Sequence, residues 1–259
     1  MENKYALITG ASQGIGKAMA VALAKKNYNV LLVSRSADQL AQLAKQLKDQ
    51  YQIQAEFLAI DLSEQEAALK VKNWCTSNSF DVSILINNAG FGLYGQFEKM
   101  DIEETSGMLK LNLIALTELT HHFIPLLKRN KNAHILNIAS TASYQAIPSM
   151  AIYAASKSFV LSFSRALRYE LKGQINVSCL CPGPTDTGFV ARSGMTSFKN
   201  ITEKFSADPE SVAAAGINGM FGKKAEIIPG FTNKLGAFST RLFPKWIIES
   251  ITARLFPSS

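Results

Sequence analysis

The chain has 259 residues, 47% of them hydrophobic and 18% charged, with 27 Lys and Arg against 20 Asp and Glu for a formal charge of +7. That apolar share can bury a sizeable core and excludes a disordered chain. The basic surplus includes no clustered run of Lys and Arg and no zinc-finger spacing, which argues against nucleic acid and favours a polyanionic small ligand.

Short apolar runs alternate with helix-period segments. Tyr5–Thr9 reads as a first strand, followed by glycines and a helix over Gly16–Lys26. Asn29–Val33 is a second strand, and Ala37–Gln50 a helix with leucines at 40, 43 and 47. Ile53–Ala59 and Ile84–Ile86 are strands three and four, the latter running into Asn87-Asn88-Ala89-Gly90. Met108–Leu127 reads as one long helix, with Pro125 expected to kink it or start a new turn. His134–Ala139 is strand five, Ala151–Leu171 a long helix and Ile175–Leu180 strand six. Asp208-Pro209-Glu210 has the form of an N-cap with proline in the first turn, and Ala225–Ile228 is a short last strand. Repeated β-α units with unbroken apolar strands predict an α/β fold: a Rossmann-like, doubly wound parallel sheet of about seven strands flanked by helices on both faces. No linker or repeat divides the chain, so residues 1–259 read as one domain. In such a sheet the carboxyl ends of the strands share one edge, where ligands bind.

Cys75, Cys179 and Cys181 have no metal-binding or disulfide-framework spacing. They read as buried thiols in a reducing compartment, the cytoplasm. The chain begins almost directly with a strand, which leaves no room for a signal peptide, and no apolar run reaches the ~18 residues of a membrane span.

Candidate chemistry concentrates at the strand ends. Gly10, Ser12, Gln13, Gly14, Ile15 and Gly16 form a loop between the first strand and the first helix. Glycines there let backbone N–H groups approach a pyrophosphate at a helix N-terminus. The spacing Gly-x-x-x-Gly-x-Gly differs from the common dinucleotide fingerprint, and three glycines also suit a plain turn. The second strand ends in Ser34-Arg35-Ser36 rather than in the carboxylate that binds ribose hydroxyls of NAD. The Arg35 guanidinium suits a 2′-phosphate, so NADP(H) is favoured over NAD(H). Lys17 either adds charge here or is a solvated helix lysine. Asp61 and Leu62 follow the third strand, placed to contact adenine, and Asp61 can also cap a helix starting near Ser63.

Tyr153 and Lys157 are four residues apart near the start of a long helix and so share a face. A nearby ammonium is expected to pull the phenol pKa down from about 10, giving a general acid for a developing alkoxide. Ser140, ending the fifth strand, can donate to a carbonyl oxygen. His121, His122 and His134 read as structural, and no metal site is expected.

Taken in order and spacing, the Thr9-Gly10-x-x-x-Gly14-Ile15-Gly16 loop, Asn87-Asn88-Ala89-Gly90, Ser140, Tyr153-x-x-x-Lys157 and Pro182-Gly183-Pro184-Thr185-Asp186-Thr187 resemble the short-chain dehydrogenase/reductase family over about residues 4–230. The resemblance implies that Asn88, Ala89 and Gly90 line the adenosine side of the cofactor. It implies that Asn112 supports a proton relay beside Lys157, and that Pro182, Gly183, Thr185 and Thr187 contact the nicotinamide. It further implies an NADPH-dependent carbonyl reductase of the Tyr-x-x-x-Lys type, similar to acyl-chain ketoreductases and steroid-dehydrogenase-like members. The alternative is a redox sensor or scaffold that binds NADP(H) without turnover, against which the complete set Ser140, Tyr153, Lys157 and Asn112 argues. The family also implies a homodimer through Met108–Leu127 and Ala151–Leu171, with a tetramer as a further option.

The resemblance also implies a substrate lid over residues 188–206. Phe189, Val190, Met195 and Phe198 there, with Phe91, Leu93 and Tyr94, suit an apolar substrate, and they equally suit a core or an interface. From residue 231 onward the chain carries Lys234, Arg241, Lys245 and Arg254 against Glu249 alone. Trp246, Ile247, Ile251 and Leu255 recur there at helical spacing. This basic amphipathic extension can lie on an anionic membrane as a peripheral contact, or pack on its own domain or a partner subunit.

Overall fold

The computed structural model describes residues 4–186, 206–240 and 242–255. In chain order the elements are β1 (Lys4–Thr9), α1 (Gly14–Ala24), β2 (Asn29–Ser34), α2 (Ala37–Tyr51), β3 (Ala55–Ala59), α3 (Ala67–Ser77) and β4 (Asp81–Asn87). Then come α4 (Ile102–Leu109), a π-helical turn over Lys110–Ala115, α5 (Leu116–Leu127), β5 (Ala133–Ile138), α6 (Ala151–Glu170) and β6 (Ile175–Leu180). The chain continues with α7 (Pro209–Phe221), β7 (Glu226–Ile227), α8 (Phe231–Ser239) and α9 (Lys245–Leu255).

The described strands form one parallel sheet of seven in the order β3-β2-β1-β4-β5-β6-β7. Central strands are buried on both faces, which is why they read as unbroken apolar runs: Leu7 pairs with Leu31 on one side and Leu85 on the other. One face packs Met19, Leu23, Leu40 and Leu47 of α1 and α2, with Ile217 and Met220 of α7. The other packs Val71 and Cys75 of α3, Leu119 and Phe123 of α5 and Leu167 of α6. The order in which successive strands are laid down reverses between β1 and β4, so a crevice opens beyond their carboxyl ends.

The expected long helix over Met108–Leu127 is interrupted, though not where proline suggested. Pro125 lies within α5, and the irregularity is the earlier π turn over Lys110–Ala115, which contains Asn112. The Asn112 side chain is buried and bonded to its surroundings, which fixes the extra residue of the turn in place. The helix expected near Ser63 begins only at Ala67. The cap at Asp208 forms as read: its carboxylate accepts the Ser211 N–H at 2.9 Å, with Pro209 in the first turn. Thr187 and nearly all of the stretch 188–206, with Phe189, Val190, Met195 and Phe198, lie outside the described residues.

Candidate active site

A cleft of about 770 Å³ opens along the carboxyl edge of the sheet. That volume falls within the ordinary range for a bound cofactor or ligand. Its floor at one end is the loop after β1. Gly10 and Gly14 have φ of 66° and 55°, a conformation that side chains rarely adopt. A methyl group on Gly16 would lie 2.3 Å from the Gly10 carbonyl oxygen. Gly16 is therefore buried against the loop and does not line the cleft, whereas Gly10, Ser12, Gln13, Gly14 and Ile15 do. The loop is braced from β4. Asn88 Nδ2 donates to the carbonyls of Thr9 (2.8 Å) and Gly10 (3.2 Å), and the Thr9 hydroxyl accepts the N–H groups of Asn88 and Ala89, both at 3.0 Å. The Asn88 side chain thus holds the loop, and Thr9 is a supporting residue that the glycine spacing does not single out. The glycine cradle, with α1 starting beneath it, fits the pyrophosphate of a dinucleotide.

Ser34 and Arg35, at the end of β2, line the same end of the cleft, as do Asp61 and Leu62 after β3. The Arg35 guanidinium is 3.4 Å from Asp61 Oδ2 and more than half exposed. Asp61 Oδ1 accepts both the N–H (2.9 Å) and the hydroxyl (2.6 Å) of Ser63, closing a local turn rather than capping α3. Burial opposes ionisation of Asp61, but the Ser63 hydrogen bonds and Arg35 outweigh it and hold the carboxyl below its usual range. Lys17 is exposed and faces away from the cleft.

At the other end, Ser140 closes β5 and caps a short 3-10 turn over Thr141–Tyr144, accepting the Ala142 N–H at 3.1 Å. The turn is fastened to α6, because Ser143 Oγ donates to the Lys157 carbonyl at 2.8 Å and Ser158 Oγ donates to the Ser143 carbonyl at 2.9 Å. This brings Ser140 into hydrogen-bond contact with Tyr153. Lys157 Nζ donates to the Ile138 carbonyl at 3.0 Å and sits 5.8 Å from the Tyr153 ring centroid. Ser140, Tyr153 and Lys157 all line the cleft.

The electrostatics differ from the sequence expectation. Burial pushes the Tyr153 phenol up to about 12, against the lowering effect of the Ser140 hydrogen bond, while burial also brings the Lys157 ammonium down to about 8. Desolvation governs both shifts. Tyr153 is consequently a neutral phenol at neutral pH, the form that donates a proton.

Asn112 is near this cluster but behind its wall. Its Nδ2 donates to the Phe91 carbonyl (2.9 Å) and Ser156 Oγ (3.2 Å), and its Oδ1 accepts the Phe91 N–H (3.1 Å). It anchors the Gly90–Phe91 segment after β4 rather than hydrogen-bonding Lys157. Gly90 is the point of close approach: a methyl there would lie 2.9 Å from Asn112 Oδ1 and 3.5 Å from Lys157 Nζ. Asn88, Ala89 and Gly90 line the middle of the cleft. Pro182, Gly183 and Thr185 line the opposite wall, with the Thr185 hydroxyl donating to the Gly183 carbonyl at 3.0 Å.

The cleft beside Tyr153 is walled by Phe91, Ala142, Ile147 and Met150. Leu93 and Tyr94 do not line the cleft; they pack against that wall, in one apolar cluster with Ala142, Ile147, Met150 and Tyr153. The residues least legible in advance are Thr232, Asn233, Ala237 and Thr240 of α8 and its end, and Ile248 and Thr252 of α9, which close the cleft from above. His134 is buried in β5, and its imidazole is pushed down to about 4 by burial. No cluster of metal-ligating side chains occurs among the described residues, and no helix there is long and apolar enough to cross a membrane.

Comparison with known proteins agrees with this geometry. Ketoacyl reductase HetN of a Nostoc species is 32% identical over 88% of this chain and 79% of its own length. Very-long-chain 3-oxoacyl-CoA reductase-A of Danio rerio is 31% identical over 83% of this chain and 66% of its own length. A solved short-chain dehydrogenase from Sphingobium yanoikuyae, in complex with NADPH, superposes with a TM-score of 0.82 at 29% identity over 92% of this chain and 93% of that one. The family description short chain dehydrogenase matches residues 4–197, and the chain belongs to that family of oxidoreductases.

Proposed function

We propose that this protein reduces a carbonyl group to an alcohol with NADPH. The observation that carries the reading is the meeting of Tyr153, Ser140 and Lys157 in one cleft with the glycine cradle. A reduced nicotinamide dinucleotide bound along the cleft supplies the hydride. Gly10 to Ile15 hold its pyrophosphate, and Ser34 and Arg35 favour the 2′-phosphate of NADP(H). Asp61, Leu62, Asn88, Ala89 and Gly90 line its adenosine side, and Pro182, Gly183 and Thr185 its nicotinamide side. The Ser140 hydroxyl orients the substrate oxygen, and neutral Tyr153 protonates it. Lys157 replaces that proton, and Asn112 holds the backbone beside it as a positioning residue. The apolar wall of Phe91, Ile147 and Met150 favours a greasy substrate, and the names of the two reductase relatives support an acyl-chain carbonyl.

The same reading covers the whole chain as one catalytic unit, with 188–206 as substrate lid. It places the protein in the cytoplasm, where Cys75, Cys179 and Cys181 stay reduced. Exposed Ile114, Phe159 and Tyr169 on the π turn and α6 support a homodimer through these helices. The C-terminal extension is its peripheral membrane contact. The deciding experiment follows NADPH absorbance over a panel of aldehydes and ketones. Turnover that Tyr153→Phe removes is expected. A panel on which wild type and variant are equally inert overturns the reading.

A further inference from the structure

Helix α8 is amphipathic the wrong way round. Phe231, Leu235 and Phe238 recur at the spacing of one helix face, and they are 79%, 58% and 54% exposed. The opposite face, with Thr232, Asn233, Ala237 and Thr240, lines the cleft. Leu242, Phe243 and Trp246 extend the exposed apolar surface into the start of α9. A contiguous apolar patch of this kind marks a covered surface rather than one facing water.

Charge decides what covers it. Lys234, Lys245 and Arg254 are exposed around the patch, and Glu249 is the sole acidic residue from 231 to the end of the chain. A second copy pairing by twofold symmetry through this face would set these cations against their own copies, which is repulsive. An anionic bilayer takes up both the apolar side chains and the cations, with Trp246 suited to the headgroup level.

The patch is also mechanically tied to the site. Thr252 Oγ1 of α9 donates to the Ala146 carbonyl at 3.2 Å, on the loop between Ser140 and Tyr153. Asn233 of α8 donates to the Pro229 carbonyl at 2.8 Å and packs on Gly183, where an added methyl would lie 2.6 Å from its side chain. Ile251 both lines the cleft and is half exposed, so the cleft opens at the edge of the patch.

We propose that α8 and α9 seat the cleft mouth on an anionic membrane surface, so that an apolar carbonyl substrate passes from the bilayer into the site without crossing water. The inference rests on the reading of this cleft as a reductase site.

The test uses the full chain, the double variant Leu235→Glu/Phe238→Glu, and Trp246→Glu, all at exposed positions away from the cleft wall. Sedimentation is measured with phosphatidylcholine vesicles, with and without phosphatidylglycerol. NADPH turnover is measured with a long-chain ketone dissolved in the vesicles and with a short water-soluble ketone. Wild type should sediment with the anionic vesicles, and the double variant at least about tenfold more weakly. The variants should lose turnover of the vesicle-dissolved ketone and keep that of the short one. Wild type that sediments with neither vesicle, or variants that sediment as well as wild type, overturns the proposal. A double variant whose solution mass falls from dimer to monomer also overturns it, since a second copy then covers the patch. Sedimentation with anionic vesicles but no turnover of either ketone overturns the reductase reading and with it the delivery route, leaving vesicle binding as a separate fact.

Discussion

Lys157 Nζ lies 5.8 Å from the centroid of the Tyr153 ring while donating at 3.0 Å to the Ile138 carbonyl. The ammonium is thus held by the end of β5, close to the phenol but buried with it. Burial lowers the lysine from its ordinary 10.5 to about 8.

That depression has a measurable sign. Between about pH 8 and 10.5 the unfolded chain still carries this proton and the folded one has released it, so folding stability rises with pH across that window. The stability of wild type relative to Lys157→Met should therefore increase by about 3 kcal/mol from the lower to the upper limit. Denaturant unfolding at the two limits measures it, and a pH-independent difference would contradict the buried-ammonium picture.

The proposed reduction requires Tyr153 protonated and Lys157 charged. With the phenol at about 12 and the lysine at about 8, the lysine sets the alkaline limb. The pH profile of kcat/KM for reduction should fall above about pH 8, and Tyr153→Phe should lower the rate by about 10²–10⁴. A limb that appears only near the tyrosine value would assign the proton relay elsewhere.

The cofactor's phosphate should be read by Arg35. Charge-assisted bonds to a phosphate are each worth about 1.5–3 kcal/mol, so Arg35→Ala should weaken NADPH at least about tenfold and leave NADH nearly unchanged. Fluorescence titration of both cofactors decides, and equal losses would refute the assignment.

Gly16 offers a test of the cradle that is independent of chemistry. The methyl of Gly16→Ala meets the Gly10 carbonyl oxygen at 2.3 Å and Asn88 Nδ2 at 2.5 Å, both parts of a rigid brace. Relief requires the loop to shift, at a cost of about 1–3 kcal/mol. A fall in Tm together with weakened cofactor binding is expected; an unchanged Tm would mean that the loop is loose.

Much of this was legible in the sequence because it rests on short-range physics. β6 runs over Ile175–Leu180 as its apolar run reads, and Asp208 caps α7. Most of the candidate residues at strand ends line one cleft because a parallel sheet collects those ends at one edge. What was not legible depends on side chains meeting across the fold. Nothing local announces that Asn112 holds a π turn by bonding Phe91, or that Asn88 grips the loop after β1. Spacing reveals a neighbouring charge but not the burial that raises the Tyr153 phenol. Helix α8 had been readable only as part of a basic apolar tail, since its outward-facing stripe becomes visible only once the cleft defines an inside.

The sheet order carries a consequence for how the chain is made. β1 is an interior strand, with β2 at one side, and at the other side β4, where Ile8 meets Ile86. During synthesis β1, β2 and β3 emerge first, and β1 then has an open apolar edge until some eighty residues have left the ribosome. A nascent chain stalled within that interval exposes the edge of the strand that later supports the glycine loop, a hazard for aggregation that the arrival of β4 removes.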